Sequence, residues 1–476
     1  MTVVPPVNSL STEVLFKIFS FHCSKCGLII ATNKDLHIDG PPPIITPTLD
    51  LSQTCSRWRS QVTSNPSLWA HMSVDIGHKP SSRVADLIRL YLTRSQPSHL
   101  DLKIEAMKDS SFDGDDTDSA PASNLEEPGT LLIFRMLMQE TVRCRALAFH
   151  MSFDALQVLL RMHDWEEFQN RRMDHLKILE MAHHSDRCPD SMMDKLFQVL
   201  GAMPALQSIA LPPTFSNHAL QSLPVTQLKS VNMRVVNLQW DDVRTVLFQC
   251  PKLDHLYIEA RLSCILEDGE CYPQLDLRPV GNLALRTLSV IAPFKDHPNF
   301  SVEDASIIDN VQIIISQCRL LHYLHLSGNF VRAHKLDIDF FAGIRTLEHL
   351  SLGMWEQGFK SQLFKNMTVR SGANTFPVLP ELIRLDIKVT TKFLRLDRRA
   401  PKPGVICDMV ESRRRMSEVG SSTNTSHLTK ELQHFSLSIT NLGKYPFEWV
   451  KNFRSDAEFR LRQLANNGLS LELDLQ

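Results

Sequence analysis

The residues whose types and spacing best suit chemistry are His22, Cys23 and Cys26, which form a His-Cys-x-x-Cys cluster. Imidazole and thiolate groups at this spacing are typical zinc ligands. A structural zinc site needs four ligands, normally from a second pair, and the sequence has no second Cys-x-x-Cys. His37 and Cys55 are the nearest candidates to complete the set. We therefore predict no bound metal and no cofactor.

Two other cysteines, Cys250 and Cys318, are better explained by packing than by reactivity. Both lie three residues before a strand phrase that recurs along the chain. A cysteine that shares a slot with apolar residues behaves as a small hydrophobe, so we expect buried, unreactive thiols. Elsewhere the same slot holds Met173, Met203, Val225, Ile344 and Leu379.

The sequence lacks recognisable catalytic motifs. His183 and His184, followed by Asp186, have no nucleophile in a defined local context, and we interpret them as surface residues. There is no phosphate-binding loop, no dinucleotide-binding glycine motif, no Gly-x-Ser-x-Gly and no His-Glu-x-x-His. We predict a protein that is not an enzyme. The alternative is an enzyme without recognisable motifs, which would need a deep pocket with convergent polar groups.

Composition and charge narrow the class of protein further. The 476 residues are 43% hydrophobic and carry a net charge of −2, which argues against general binding to nucleic acid or membrane surfaces. The opening MTVVPPVNSL does not resemble a signal peptide, and no apolar run approaches the roughly 18 residues that cross a bilayer. We expect a soluble protein of the cytoplasm and/or nucleus, whose ten cysteines are reduced thiols.

One apolar phrase recurs from Cys144 onward and predicts the architecture of most of the chain. It has the pattern apolar-x-x-apolar-x-apolar, where x is any residue. The last two apolar side chains alternate with a period of two, which predicts a β-strand with those side chains facing inward. The copies are CRALAF at 144, LKILEM at 176, LQSIAL at 206, LKSVNM at 228, LDHLYI at 253, LRTLSV at 285, LHYLHL at 321, LEHLSL at 347, LIRLDI at 382 and LQHFSL at 432.

The phrase resembles the strand of a leucine-rich repeat, which implies parallel strands with helices on the convex side of a solenoid. Segments 241–250 and 307–318 have the apolar spacing of connecting amphipathic helices. The spacing between copies is irregular, and the buried asparagine usual in such repeats appears once, at Asn329. We therefore expect an α/β fold with an irregular solenoid topology. The alternative is an irregular α/β domain whose strands share the pattern.

Residues between the inward positions should face outward, on the concave side of the predicted sheet. Aromatic and imidazole groups cluster there on the middle strands, and charged groups follow further along. Aromatic residues and Arg are the usual anchors of protein interfaces, so we predict a stripe that binds the target protein. The alternative is a set of scattered surface residues. The stripe consists of His255, Tyr257, Tyr323, His325, His349 and Arg384.

The N-terminal segment predicts two short helices, a stop at Asn65-Pro66 and a short third helix. Three small helices cannot bury so many large apolar groups among themselves, so we expect part of this surface to bind a partner. The apolar faces of the first two helices consist of Leu10, Val14, Leu15, Ile18 and Phe19, and of Leu51, Cys55, Trp58 and Val62.

Three pieces of this segment resemble an F-box. They are Leu-x-x-Glu-Val-Leu-x-x-Ile-Phe over 10–19, Cys-x-Arg-Trp-Arg over 55–59 and Asn-Pro-x-Leu-Trp over 65–69. The segment departs from the family pattern at Ser11, where proline is usual, and in an insert over 23–47. Ser9 or Ser11 can still cap the first helix. Similar inserts occur in the F-box families of mushroom-forming fungi, which the chain resembles as a whole.

The resemblance implies binding to a Skp-family adaptor and, through it, to a cullin in a ubiquitin ligase. The chain would be the substrate-recognition subunit, with an unknown protein target and no nucleic-acid or membrane partner. Alternatives are a plain three-helix cap on a solenoid, and a repeat scaffold that acts without ubiquitin transfer. Some of the implied adaptor contacts must instead hold the three helices together, and Trp58 and Trp69 are expected to belong to the core. The implied contacts are Leu10, Val14, Leu15, Ile18, Phe19, Leu51 and Trp58.

Domain boundaries follow from these patterns. We predict an F-box over 1–75, with its insert at 23–47, and a leucine-rich-repeat-like domain over 76–476. Residues 107–130 are acidic and rich in Ser, Pro and Gly, so they are predicted to be a disordered loop. Residues 397–430 carry five arginines beside Ser and Thr, and we predict a second disordered loop there.

Overall fold

The two-residue alternation of the strand phrase organises the structure. In the computed structural model, each of the ten copies contains the start of a β-strand, and within each unit neighbouring strands of the repeat pair in parallel. The chain divides into two units, Met1–Leu228 and Lys229–Gln476, whereas the sequence predicted a boundary after residue 75. The structure describes residues 10–23, 27–30, 44–77, 82–106, 127–161, 171–183, 195–198, 200–211, 223–236, 240–261, 283–291, 304–328, 331, 336, 340–341, 344–355, 359–369, 378–391, 400–419, 430–441 and 448–475.

The first unit begins with three short helices, two of which have a side chain that caps the N-terminus. Its helices are α1 (Thr12–Cys23), α2 (Pro47–Thr54), α3 (Ser56–Thr63), α4 (Ser82–Arg94), α5 (Pro128–Gln139) and α6 (Phe153–Leu160), with 3-10 helices at Pro66–Trp69, Glu140–Arg143 and Val225–Gln227. Ser11 Oγ accepts a hydrogen bond from Val14 N at 3.4 Å, so Ser11 caps α1. Cys55 Sγ accepts one from Trp58 N at 3.5 Å and caps α3.

The sheet of the first unit contains strands that the sequence did not predict. Its strands are β1 (Leu28–Ile30), β2 (Ile44–Ile45), β3 (His71–Asp75), β4 (Leu100–Ala106), β5 (Cys144–Met151), β6 (Ile178–His183) and β7 (Ser208–Leu211). Their order is β7-β6-β5-β4-β3-β1-β2, and every neighbouring pair is parallel except β1 with β2. The N-terminal segment therefore contributes strands to the same sheet as the repeat.

The second unit is a simple succession of parallel strands and helices. Its strands are β8 (Ser230–Val236), β9 (His255–Arg261), β10 (Thr287–Ile291), β11 (Tyr323–Ser327), β12 (His349–Trp355), β13 (Arg384–Thr391), β14 (His434–Asn441) and β15 (Ser470–Leu475). Its helices are α7 (Trp240–Gln249), α8 (Asp304–Gln317), α9 (Ser361–Met367), α10 (Pro403–Val419), α11 (Glu448–Asp456) and α12 (Glu458–Asn466). The strands lie side by side in chain order, from β8 to β15. The helices predicted over 241–250 and 307–318 are confirmed as α7 and α8.

Inward-facing apolar residues form the core, as the phrase predicts. Leu256, Leu288, Leu324, Leu350 and Leu385 occupy the same position on consecutive strands, and each is at most 1% exposed. The packing slot before the strands is also confirmed, except at the half-buried Val225. Its buried members are Met173, Met203, Cys250, Cys318, Ile344 and Leu379.

The prediction of a disordered loop over 397–430 is wrong for Pro403–Val419, which form α10. Ile406, Cys407, Met409 and Val410 are buried on this helix, because they recur at helical spacing between the charged residues. In the other predicted loop, residues 107–126 lie outside the described residues, and Pro128 begins α5. None of the described helices has the length and apolar character needed to cross a membrane.

Candidate interaction surfaces

The inner side of the N-terminal helices is a small aromatic core. Leu15 and Phe19 on α1 are each 1% exposed, and the ring of Phe19 meets that of Trp58 edge-on, with centroids 4.8 Å apart. Trp69 is buried and donates a hydrogen bond from Nε1 to the carbonyl of Val62 at 2.9 Å. Burial of Trp69 confirms the prediction of a core residue, while Trp58 is half-buried.

The outer side of α1 carries an exposed apolar row that we call the α1 stripe: Val14, Ile18 and Phe21. Their exposures are 43%, 48% and 80%. Spacings of four and three residues place them on one side of the helix. The sequence did not predict Phe21 as part of this surface, although its spacing from Ile18 would have allowed it.

The implied adaptor contacts therefore divide into three groups. Val14 and Ile18 are exposed, whereas Leu15 and Phe19 are buried and hold the helices together. The half-buried members are Leu10, Leu51 and Trp58. The prediction that Leu10 and four residues of α1 share one face is wrong. Leu15 and Phe19 are buried, Val14 and Ile18 are exposed, and Leu10 precedes the helix.

The outward face of the second unit brings the predicted target-binding residues into register. One row across the strands contains His255, Thr287, Tyr323, His349, Arg384 and His434. The next row contains Tyr257, Ser289, His325, Ser351, Asp386 and Ser436. All six predicted residues therefore lie in two adjacent rows of one face.

Asp386 is the centre of the charged part of this face. Its Oδ2 accepts hydrogen bonds from His349 Nε2 at 2.7 Å and from Arg384 Nε at 2.8 Å. Its Oδ1 lies 3.3 Å from His434 Nε2, within ion-pair distance. That pair is not aligned for a hydrogen bond, so both atoms are buried without a hydrogen-bond partner. The ring of Tyr323 meets that of His349 edge-on at 4.5 Å.

These contacts set the charge states around Asp386. Partial burial alone would raise the pKa of Asp386, but hydrogen bonds from His349 and Arg384 lower it below its ordinary value. Burial and the nearby His349 lower the pKa of His325. His325 Nδ1 lies 2.7 Å from Ser351 Oγ, with roles that depend on the tautomer. The face therefore combines a fixed carboxylate with rings that can donate or accept hydrogen bonds.

Not every predicted residue belongs to this cluster. Tyr257 on β9 is separated from His325 on β11 by Ser289 on the intervening strand. His255 is also on β9, and its side chain is exposed. The sequence missed the central role of Asp386 and the part played by His434. Asp386 on β13 and His434 on β14 both occupy alternate strand positions that face outward, as Arg384 does. This alternation is the sequence feature that indicates their position.

The outward face of the first unit carries a second aspartate, held by an arginine and a histidine. Asp101 contacts Arg145 through both oxygens, at 2.5 and 3.1 Å, and lies 3.1 Å from His71 Nδ1. Burial would raise the pKa of Asp101, but the hydrogen bonds from His71 and Arg145 lower it. A cavity of about 290 Å³ opens beside this cluster, over Ala146 and Ala148.

The described residues contain neither a cluster of metal ligands nor a cysteine in an activating environment. No group of three or more His, Cys, Asp or Glu side chains in them could hold a metal ion. Cys23 is buried, and its Sγ lies 3.5 Å from Thr48 Oγ1, while Cys26 and His37 lie outside the described residues. Burial raises the pKa of Cys250 to about 11, which opposes thiolate formation there.

Fold and surfaces together define a repeat-like α/β protein with parallel strands and an ordered polar face on each unit. No protein-family model matches the chain. No curated protein matches it at a significant level.

Proposed function

We propose that the chain is the substrate-recognition subunit of a Skp–cullin–F-box ubiquitin ligase. The N-terminal helices would bind the Skp-family adaptor, and the leucine-rich-repeat-like strands would bind the target protein. The proposal rests on the F-box-like pieces over 10–19, 55–59 and 65–69. The observation that carries it is the α1 stripe, an apolar row left exposed on a helix whose other side is buried.

Exposed apolar rows of this kind are typical of helix-mediated docking. Val14, Ile18 and Phe21 recur at the i, i+4 and i+7 spacing by which an amphipathic helix enters a partner's groove. Large apolar side chains grouped on a surface mark interaction sites more often than isolated ones do. The adaptor would therefore cover the α1 stripe, while Leu15 and Phe19 keep the helix in place.

For the target protein, the outward face of β9–β14 has suitable chemistry. Tyr323, His349 and Arg384 lie together around Asp386, and aromatic and Arg side chains are frequent anchors of interfaces. Hydrogen-bonded charges at such a centre favour selectivity over raw affinity. The target would therefore be chosen by polar complementarity to this cluster.

The first test is co-purification of the full chain with a recombinant Skp-family adaptor. Val14→Asp combined with Ile18→Asp should reduce adaptor binding at least about tenfold, since two charges would enter an apolar contact. Leu132→Asp is the matched control, because Leu132 is 47% exposed on a different helix. Circular dichroism checks that each variant folds. A wild-type chain that does not bind the adaptor, or a double variant that binds equally well, would contradict the proposal.

The second arm concerns the target. Proteins captured by the wild type should be lost when Tyr257, Tyr323 and His325 are replaced by Ala, and their cellular lifetimes should lengthen when the chain is removed. Unchanged capture would exclude the face as the recognition surface. Adaptor binding with unchanged lifetimes would instead indicate a scaffold without ubiquitin transfer.

A further inference from the structure

Strand β15 forms an open edge of the second unit's sheet. It pairs with β14 along its whole length, from His434↔Ser470 to Ile439↔Leu475. In a parallel pair, alternate residues direct both backbone groups to the same neighbour. Ser470 N donates to Gln433 O, so Ser470, Glu472 and Asp474 face β14. The backbone groups of Leu471, Leu473 and Leu475 therefore point away from the sheet.

Among the residues that the structure describes, almost nothing pairs with this outer row of backbone groups. Arg454 Nη2 donates to the carbonyl of Leu475 at 2.9 Å and occupies one end of the row. No described residue is bonded to the backbone N–H and C=O of Leu471 and Leu473 on that side. Natural sheets usually shorten or cover such an edge, because it is a template for another strand. In the first unit, by contrast, the edge strand β2 has two residues.

The apolar side of the edge is also incompletely covered. Phe435, Leu437 and Ile439 on β14 are fully buried, whereas their register partners Leu471, Leu473 and Leu475 are half-exposed. A further strand placed beside β15 would cover these leucines. Helix α12, which packs against β15, also presents Phe459 to solvent, 66% exposed. The edge thus offers both hydrogen bonds and apolar contact.

The polar side of the edge carries two carboxylates. Glu472 makes no hydrogen bond or ion pair with any described residue, and Asp474 accepts one bond, from Ser438 Oγ at 3.3 Å. Side chains directly opposite each other on paired strands lie about 4.5–5.5 Å apart, so a strand added here would place its outward residues beside these carboxylates. Basic residues would be favoured at those positions and acidic residues repelled.

We propose that the open edge of β15 binds an extended polypeptide segment in which apolar residues alternate with Lys or Arg. The segment adds as a further strand, with its apolar side chains over Leu471 and Leu473 and its basic side chains beside Glu472 and Asp474. Backbone hydrogen bonds supply affinity, and the alternating side chains supply selectivity. A second copy of the chain is a poor occupant, since pairing two β15 strands would bring four carboxylates together. The inference does not depend on adaptor binding.

The test measures fluorescence anisotropy of labelled peptides with the full chain. One peptide alternates Val with Lys, and its partner has Glu in place of every Lys. The Lys peptide should bind the wild type at least about tenfold more tightly, because attraction at two cross-strand positions is replaced by repulsion. Glu472→Lys combined with Asp474→Lys should reverse this preference. Asp86→Lys with Asp174→Lys is the control, since it changes net charge equally at exposed acids of the first unit.

Three outcomes would overturn the inference. One is absence of binding by the Lys peptide, and another is a peptide preference that the variant at 472 and 474 leaves unchanged. The third is a concentration-dependent dimer in sedimentation that the same variant disrupts, because the occupant would then be a second copy of the chain. Reversal of preference in the edge variant, with none in the control, supports it.

Discussion

Arg413 is a buried charged residue that satisfies backbone carbonyls in the interior of the second unit. Its side chain is fully buried and donates to the carbonyls of Met367, Leu379 and Val378 at 2.9, 3.0 and 2.5 Å. Met367 ends α9, and Leu379 has a positive φ of 54°, an uncommon conformation for a residue with a side chain. Burial lowers the pKa of Arg413 to about 10, so it stays charged at neutral pH. The guanidinium therefore holds a helix end and a strained turn to α10.

Arg413→Leu should lower the free energy of unfolding by roughly 3 kcal/mol or more, since buried carbonyls lose charged donors. Arg413→Lys should recover only part of the loss, because an ammonium group cannot reproduce the planar fork. Urea denaturation followed by circular dichroism measures both. Arg462→Ala is the control and should stay within about 0.5 kcal/mol, since Arg462 is 67% exposed. An unchanged unfolding midpoint for Arg413→Leu would show that the buried contacts do not stabilise the fold.

Two sequence patterns around Arg413 predict different structures, and the helical one is correct. Ile406, Met409, Val410 and Arg413 follow helical spacing, which places the arginine on the buried side of α10. A run of arginines beside Ser and Thr usually indicates a solvated loop, and that pattern outweighed the apolar one. At the polar face, the outward residues were predictable from strand parity alone. The grouping around Asp386 was not, because it depends on the rotamers of side chains from three strands.

Helix α1 has a buried side and an exposed side, to which the fold and the proposed adaptor contact assign different roles. Leu15 and Phe19 face the aromatic core, and the α1 stripe faces solvent. Substitutions on the two sides of this helix should therefore have different consequences. A variant at Leu15 should affect folding, whereas a variant at Ile18 tests the proposed adaptor contact.

Leu15→Ala should lower the free energy of unfolding by about 2–5 kcal/mol, because it leaves a cavity in a packed core. Ile18→Ala should change it by less than about 0.5 kcal/mol, since Ile18 is 48% exposed. Chemical denaturation of the full chain, with wild type measured in parallel, provides the comparison. Equal losses for the two variants would mean that the α1 stripe is covered by the chain itself.

Strand prediction succeeded where the apolar phrase was complete. All ten copies form strands, whereas β1, β2, β3, β4 and β15 lie outside the predicted copies. Trp69, Met72 and Val74 fit the phrase, yet Trp69 closes the F-box-like piece, and the short third helix predicted there includes Trp69 and Met72. In β4 and β15 the first apolar position is taken by His99 and Gly468, so only the alternation is visible in the sequence. Register with the neighbouring strands, which the sequence does not encode locally, places both in their sheets.

At the scale of the whole molecule, each unit has on its outward face an aspartate that is bound by arginine and histidine side chains. Asp101 in the first unit and Asp386 in the second are each about one-fifth exposed and are held by one Arg and at least one His. In both cases hydrogen bonds to the carboxylate outweigh the effect of burial and lower the pKa. Stability should therefore depend on pH through both units.

The sign of this dependence follows from linkage. An aspartate whose pKa is lower in the folded chain than its unfolded value of about 3.9 stabilises the fold above that pH. The contribution is lost as the pH falls through the lower, folded value. Asp101→Asn and Asp386→Asn should each reduce stability at neutral pH and make its decline between about pH 5 and pH 3 shallower, and the double variant should show the largest change. Urea midpoints across this range test the prediction, with Asp86→Asn as a control at a 73% exposed carboxylate. Parallel pH profiles for wild type and both single variants would mean that neither carboxylate stabilises its unit.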